Sequence, residues 1–185
     1  MNYTTSETGK IKVKDKYFVK HIESTKILSS IKRIAEQIYL DHGDEQPLFL
    51  SVLNGSFMFT SDLLKHYKGV CELSFIRVSS YSGTQTTGQV KTSIGLTHDI
   101  SSRTIILLED IIDSGITVSH LVKDLQKMNP AKLKVATLLF KPDAVKTDVK
   151  PDYIGLEIPK DFIVGYGLDY DGFGRNLTDI YKILD

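Results

Sequence analysis

Residues 105–117, IILLEDIIDSGIT, decide the fold. The stretch begins as a short, continuously apolar, β-branched run, the pattern of a strand buried on both faces. It ends in two acids, Glu109 and Asp110, and the chain then turns through Asp113, Ser114 and Gly115. Val118, Leu121, Val122 and Leu125 follow at helical spacing until Asn129-Pro130 stops the pattern. Strand, tight turn and helix in that order make half of a βαβ unit, and in an open α/β sheet ligands bind just beyond the carboxyl ends of the strands. Gly115 lets backbone N–H groups come close to a ligand, Ser114 and Thr117 add hydroxyls, and a helix N-terminus favours an anion. The turn is therefore shaped for a phosphate monoester. It lacks the lysine of a GxxxxGK[ST] loop, which argues against a triphosphate cradle. Asp113 or Ser114 also reads as a plain helix cap, and for Asp113 alone that reading would win. Two acids, two apolar residues and then Asp-Ser-Gly-x-Thr favour the ligand loop.

Working outward, residues 27–39 carry Ile27, Leu28, Ile31, Ile34, Ala35, Ile38 and Tyr39 at steps of three and four, which predicts an amphipathic helix. Ser24 or Thr25 is placed to cap it and Gly43 to stop it. Short apolar runs at 48–53, 73–78, 104–108 and 133–140 read as buried strands, separated by helical segments at 57–66 and 117–128. That alternation predicts an α/β domain with a central, mainly parallel sheet. Past it, residues 153–158, 162–166 and 180–184 read as short strands with no helix between them, an antiparallel annex. Residues 79–98, SSYSGTQTTGQVKTSIGLTH, fit no element; a polar insertion of this length is usually a functional lid or disordered.

Composition narrows the class. The 185 residues are 41% hydrophobic and 25% charged, with 23 basic and 23 acidic side chains. A zero net charge argues against a nucleic-acid partner. One cysteine, Cys71, supports neither an internal disulfide nor a cysteine metal cage, and the five histidines are scattered. No apolar run reaches the roughly 18 residues of a membrane helix, and the first residues lack a signal-peptide core. The expectation is one soluble, cytoplasmic domain over 1–185 with no membrane partner.

The segment 105–117 resembles the phosphoribosyl-pyrophosphate (PRPP) signature of type I phosphoribosyltransferases, and the chain from about Lys20 onward is similar to the hypoxanthine-guanine phosphoribosyltransferase family. Supporting segments are VLNGSFMFTSDL (52–63), SSYSGTQTTG (79–88), FKPD (140–143) and PDYIGLEIPKDFIVGYGLDYDGFGR (151–175), in the family's order. The resemblance implies the type I phosphoribosyltransferase fold: the parallel sheet with flanking helices, a small antiparallel hood from the N-terminal strand and C-terminal third, and a flexible lid over about 79–98. It also implies roles. Glu109 and Asp110 would hold the ribose hydroxyls of PRPP with Mg²⁺, and Asp113, Ser114, Gly115, Ile116 and Thr117 the 5′-phosphate. Asp113 would be the general base near purine N7. Lys141 would donate to the 6-oxo group, Phe162 would stack on the purine and Ile163 would read its edge. Asp169 would bind a second Mg²⁺ beside the purine and pyrophosphate. Leu53, Asn54, Gly55 and Ser56 would form a pyrophosphate loop, often with a cis peptide, and Arg175 would contact the pyrophosphate. Ser80 and Tyr81 would lie on the lid.

Without the family, these residues read more plainly. Lys141 is then a solvated turn lysine, Phe162 core, Tyr81 a loop aromatic, and Arg175 a surface partner of Asp171 or Asp179. Asn54 and Ile116 depart from relatives that carry a basic residue at those places, which bears on phosphate affinity and not on the reaction. The chemistry asks for such a set independently. Displacing pyrophosphate from a ribose C1 passes through an oxocarbenium-like centre, water must be excluded, and the anionic leaving group needs a divalent cation on carboxylates. The function implied is purine salvage, making IMP from hypoxanthine and GMP from guanine, in a homo-oligomer (dimer or tetramer). The alternatives are a transferase preferring xanthine or adenine, and a non-catalytic, PRPP- or nucleotide-sensing RNA-binding regulator on the same fold.

Overall fold

The computed structural model describes residues 9–79, 91–94, 96 and 99–184. Among the described residues, ten strands form two sheets, with three α-helices beside them. The larger sheet contains β3 (Leu48–Leu53), β4 (Glu72–Ser79), β5 (Lys91–Ile94), β6 (Thr104–Ile112), β7 (Lys132–Phe140) and β8 (Tyr153–Glu157), in the order β5-β4-β3-β6-β7-β8. All neighbours run parallel except β5, which pairs antiparallel with β4. The central strands are buried almost throughout because helices cover both faces. Helices α1 (Ser24–His42) and α2 (Phe57–His66) bury Ile27, Ile31, Ile34, Ile38, Phe59 and Leu63 with Phe49, Ile106 and Leu108. Helix α3 (Ile116–Gln126) buries Val118, Leu121 and Leu125 with Leu48, Leu50, Ile105 and Leu107. Alternate strand residues thus feed two cores.

The smaller sheet, order β1-β2-β10-β9, is antiparallel and joins β1 (Lys10–Val13), β2 (Lys16–Ile22), β9 (Ile163–Val164) and β10 (Ile180–Ile183). Its core is Ile11, Val13, Phe18 and Val164. This is the hood. Among the described residues no helix is long and apolar enough to cross a membrane.

Three sequence expectations need correction. Residues 153–158 do not belong to the antiparallel annex, because β8 pairs parallel with β7. A parallel pair needs a crossover of about a dozen residues, and here the connection carries only a 3-10 turn, Pro142–Ala144. With no helical periodicity between them, the two strands were not legible as one parallel unit. Neither Ser24 nor Thr25 caps α1: Glu23 stands at the N-cap, and the Ser24 backbone N–H donates to Asp179 Oδ1 at 2.8 Å. Asp179, paired with Lys20 at 2.8 Å, supplies from the hood the acceptor a local cap would give. Finally, 79–98 is not wholly without elements, since Ser79 ends β4 and Lys91–Ile94 forms β5. Ser80 and Tyr81 lie outside the described residues.

Candidate functional site

Strand β6 delivers its acids to the carboxyl edge of the sheet, and the turn after it leads into α3 through Gly115 at φ 76°, the left-handed region that glycine adopts freely. A Cβ at Gly115 would stand 2.5 Å from Thr147 Oγ1, so the position is closed to larger residues on two counts. Ser114 O accepts from Lys146 N at 3.0 Å, which lays the segment after β7 against the turn. Ile116 and Thr117 are exposed and Ser114 half-buried. The leading N–H groups of a helix have no intrahelical acceptor, which leaves this end suited to an anion.

Lys141 follows β7, the strand beside β6, and its backbone N–H donates to Ile112 O at 3.0 Å. Its side chain is 6% exposed, against 56% for Asp113, and Nζ donates to Asp113 Oδ2 at 2.7 Å. It is therefore no solvated turn lysine. A buried ammonium is tolerated because a carboxylate faces it. Adjacent parallel strands place this donor–acceptor pair next to the phosphate-shaped turn.

Glu109 and Asp110 share an unfavourable environment. Burial, and then the Asp110 charge, push the Glu109 carboxyl well above its ordinary range. Glu109 Oε2 meets no hydrogen-bond partner among the described residues. Burial raises Asp110 to about 6, against the opposing pull of hydrogen bonds from the Ile111 and Asp110 backbone and the charge of Arg175. Two such acids lower their energy by meeting a cation.

The loop after β3, residues 53–56, has a cis Leu53–Asn54 peptide. Buried hydroxyls tie it down: Ser51 Oγ lies 2.7 Å from both Ser56 Oγ and Thr60 Oγ1. A Cβ at Gly55 would come within 1.6 Å of Asp110 Oδ2, so the carboxylate rests directly over that backbone. From the hood, Gly167 presses on the other side; its Cβ would fall 2.1 Å from Gly55 O. Arg175 Nη1 donates to Gly167 O at 2.7 Å and Nη2 pairs with Asp169 Oδ1 at 2.6 Å. Arg175 thus takes neither Asp171, which pairs with Lys14, nor Asp179. Loop, acids and arginine form one cluster. Among the described residues no group of three or more His, Cys, Asp or Glu side chains is placed to hold a metal ion by itself. Mg²⁺ seldom needs one, because it takes one or two carboxylates and completes its shell with phosphate and water. The hard carboxylate oxygens of Glu109, one of them without a partner, and of Asp110 fit that habit.

Phe162 stands at the hood and is 46% exposed, which corrects its reading as core. One side touches Phe18 (centroids 6.4 Å) and Tyr170 (5.9 Å), leaving ring surface open. Ile163 is buried in β9, its backbone paired with β10. Cavities of about 480 and 510 Å³ flank the Thr147–Lys150 segment; Thr147 lines both, and the site acids, Lys141, Phe162 and Arg175 line neither. Sequence reasoning passed over Gly167 and Thr147. The Gly-Tyr-Gly run at 165–167 was the available signal for a close backbone approach; nothing in the sequence marked Thr147.

A family model described as phosphoribosyl transferase domain matches residues 19–171. The chain is 40% identical over 160 residues to a hypoxanthine-guanine phosphoribosyltransferase of Bacillus subtilis, covering 86% of this chain and 89% of that one. Its structure is similar to that of a hypoxanthine-guanine phosphoribosyltransferase from Bacillus anthracis, with TM-score 0.83, 38% identity, and coverage of 90% and 96%. It is also similar to a hypoxanthine phosphoribosyltransferase from Staphylococcus aureus, with TM-score 0.85, 34% identity, and coverage of 89% and 90%.

Proposed function

The chain belongs to the phosphoribosyl transferase domain family, and from that premise we propose how its own residues carry the reaction. The protein is a purine-salvage enzyme that transfers the 5-phosphoribosyl group of PRPP to hypoxanthine or guanine, forming IMP or GMP and releasing pyrophosphate.

The observation that carries the residue assignment is the buried Lys141 beside Asp113, Nζ to Oδ2 2.7 Å. A 6-oxopurine presents O6, an acceptor, next to N7, where a proton can sit while N9 attacks. A lysine donor beside a carboxylate acceptor complements that edge. Lys141 has three N–H donors, so one can hold Asp113 while another meets O6. Asp113 takes the purine proton at N7 as N9 bonds to the ribose C1 and the C1–pyrophosphate bond breaks; both electrons of that bond leave with pyrophosphate. Phe162 stacks on the base, and the Ile163 backbone meets its edge. The turn formed by Asp113, Ser114, Gly115, Ile116 and Thr117 holds the 5′-phosphate, while Leu53, Asn54, Gly55 and Arg175 hold the pyrophosphate. Glu109 and Asp110 fix the ribose hydroxyls and would hold one Mg²⁺; Asp169 would hold a second with the pyrophosphate, and such cations neutralise charge on the leaving group. A homo-oligomer is part of the same proposal, and light scattering decides it.

The deciding assay incubates the protein with PRPP, Mg²⁺ and each of hypoxanthine, guanine, xanthine and adenine, and follows nucleotide formation. IMP and GMP are the expected products. Adenine used within tenfold of hypoxanthine in kcat/KM would refute the role of Lys141, because two sets of N–H donors would then face each other unpaired.

A further inference from the structure

Between β9 and Arg175 the chain makes a turn in which Gly165, Tyr166 and Gly167 have φ of 109°, 50° and 96°. Glycines adopt such values freely, but a bulky residue there is an outlier that its surroundings must hold in place. Tyr166 is held. Its ring is buried, its N–H donates to Leu177 O at 2.8 Å, and its hydroxyl donates to the Asp62 carboxylate on α2. Burial pushes Asp62 upward, but hydrogen bonds from Lys65 (2.8 Å) and Tyr166 outweigh it, so the carboxyl stays ionised below its ordinary range. A buried phenol hydroxyl is costly without a partner, and phenylalanine would fill the same space. The hydroxyl therefore serves the link to α2.

That link spans the two parts of the site. Helix α2 starts at Phe57, directly after the loop that carries Gly55, and Asp62 lies further along the same helix. The next residue after Tyr166 is Gly167, which abuts Gly55 O and accepts from Arg175. Asp169 and its partner Arg175 follow on the same turn. One helix thus holds the sheet-borne loop at its start and, through Asp62, the hood-borne turn that faces the loop.

We propose that Tyr166 and Asp62 are positioning residues for PRPP: their hydrogen bond sets Asp169 and Arg175 against Gly55 and Asp110, and so governs the pyrophosphate end of the site, not purine recognition. This rests on the assignment of that cluster to pyrophosphate above. Misplacing a positioned group by about 1 Å can cost roughly 100-fold in rate.

The test is steady-state kinetics of Tyr166→Phe, Asp62→Leu and Asp62→Asn in the full chain, varying PRPP and hypoxanthine separately, with a thermal melt of each variant. Tyr166→Phe and Asp62→Leu are expected to lose about 10- to 100-fold in kcat/KM for PRPP, with KM for hypoxanthine within about twofold. Asp62→Asn keeps an acceptor for the phenol and should stay within about threefold of wild type. The Tyr166→Phe/Asp62→Leu double variant should lose no more than either single one, as for residues acting through one contact. A variant that only melts earlier, with the kinetics of its folded form unchanged, overturns the proposal and leaves a structural contact. So does an equal rise of both KM values. If Tyr166→Phe does not fold, the contrast between Asp62→Leu and Asp62→Asn decides alone: no PRPP-specific difference between them refutes the idea. Wild-type protein that forms no nucleotide defeats the functional reading itself, and this proposal with it.

Discussion

Replacing Asp110 by asparagine should stabilise the protein while disabling it. Burial lifts the Asp110 carboxyl from 3.8 to about 6 in the folded chain. Between those pH values the folded form holds a proton that the unfolded form has released. Stability from this group is therefore fully present below about pH 4 and is lost as pH rises through about 6. A shift of roughly two units corresponds to about 3 kcal/mol of destabilisation at pH 7.5, at 1.36 kcal/mol per unit; partial solvent access to Asp110 makes this an upper figure. Asparagine mimics the neutral carboxyl in shape and carries no charge to desolvate. In metal-free buffer at pH 7.5, Asp110→Asn should raise Tm by up to about 6 to 12 °C, taking 2 to 4 °C per kcal/mol for a chain of this size. At pH 4 the gain should vanish. Paired melts of wild type and variant at the two pH values cancel the titrating groups that Asp110 does not touch; Glu109, which the Asp110 charge raises, shifts stability in the same direction. In the activity assay the same variant should lose PRPP use, the familiar exchange of stability for a charged site. A variant no more stable than wild type at pH 7.5, or one equally stabilised at both pH values, would show that Asp110 is not held unfavourably in the fold.

Other outcomes follow from the same geometry. Asp113→Asn should lower kcat roughly 10²- to 10⁴-fold, the usual contribution of a general base, while PRPP binding measured by calorimetry persists; near-normal turnover would remove Asp113 from that role. Lys141→Met retains the buried stem but no donor, so kcat/KM for hypoxanthine should fall roughly 10- to 150-fold, the worth of a hydrogen bond from a charged group. An unchanged value would mean that O6 is read elsewhere. Chelation with EDTA followed by dialysis should abolish nucleotide formation and Mg²⁺ restore it, because pyrophosphate is a poor leaving group without a cation; full activity in EDTA would contradict the assignment of the acids.

What the sequence could show depended on whether a feature is local. The run into Glu109 and Asp110, the turn at Gly115 and the stripe of Val118, Leu121 and Leu125 are set by neighbours along the chain, so β6, the phosphate-shaped turn and α3 were all legible. Pairing is not local. Tyr153–Glu157 has the same strand-like composition whichever sheet it joins, and only its register with β7, Ala136 opposite Tyr153, places it at the parallel edge. The cap of α1 comes from Asp179, 155 positions away, which no window around Ser24 contains. Lys141 and Phe162 mislead in opposite directions when read by residue type: the cation is buried against Asp113, while the ring is half open to solvent.

The burial of Lys141 belongs to a wider arrangement of charge. The described site places Lys141 and Arg175 against Asp113 and Asp169, and leaves Glu109 and Asp110 with no full-strength cationic partner of their own. A substrate carrying a 5′-phosphate and a pyrophosphate would be repelled by those bare acids, since like charges disfavour each other's ionised form. A divalent cation entering with the substrate would change the sign of that contact. It would satisfy the orphaned Glu109 oxygen, lower the Asp110 carboxyl, and turn a destabilising pair into a binding one. On this reasoning cation and PRPP should bind the chain cooperatively, each tightening the other by the same factor, as linkage requires.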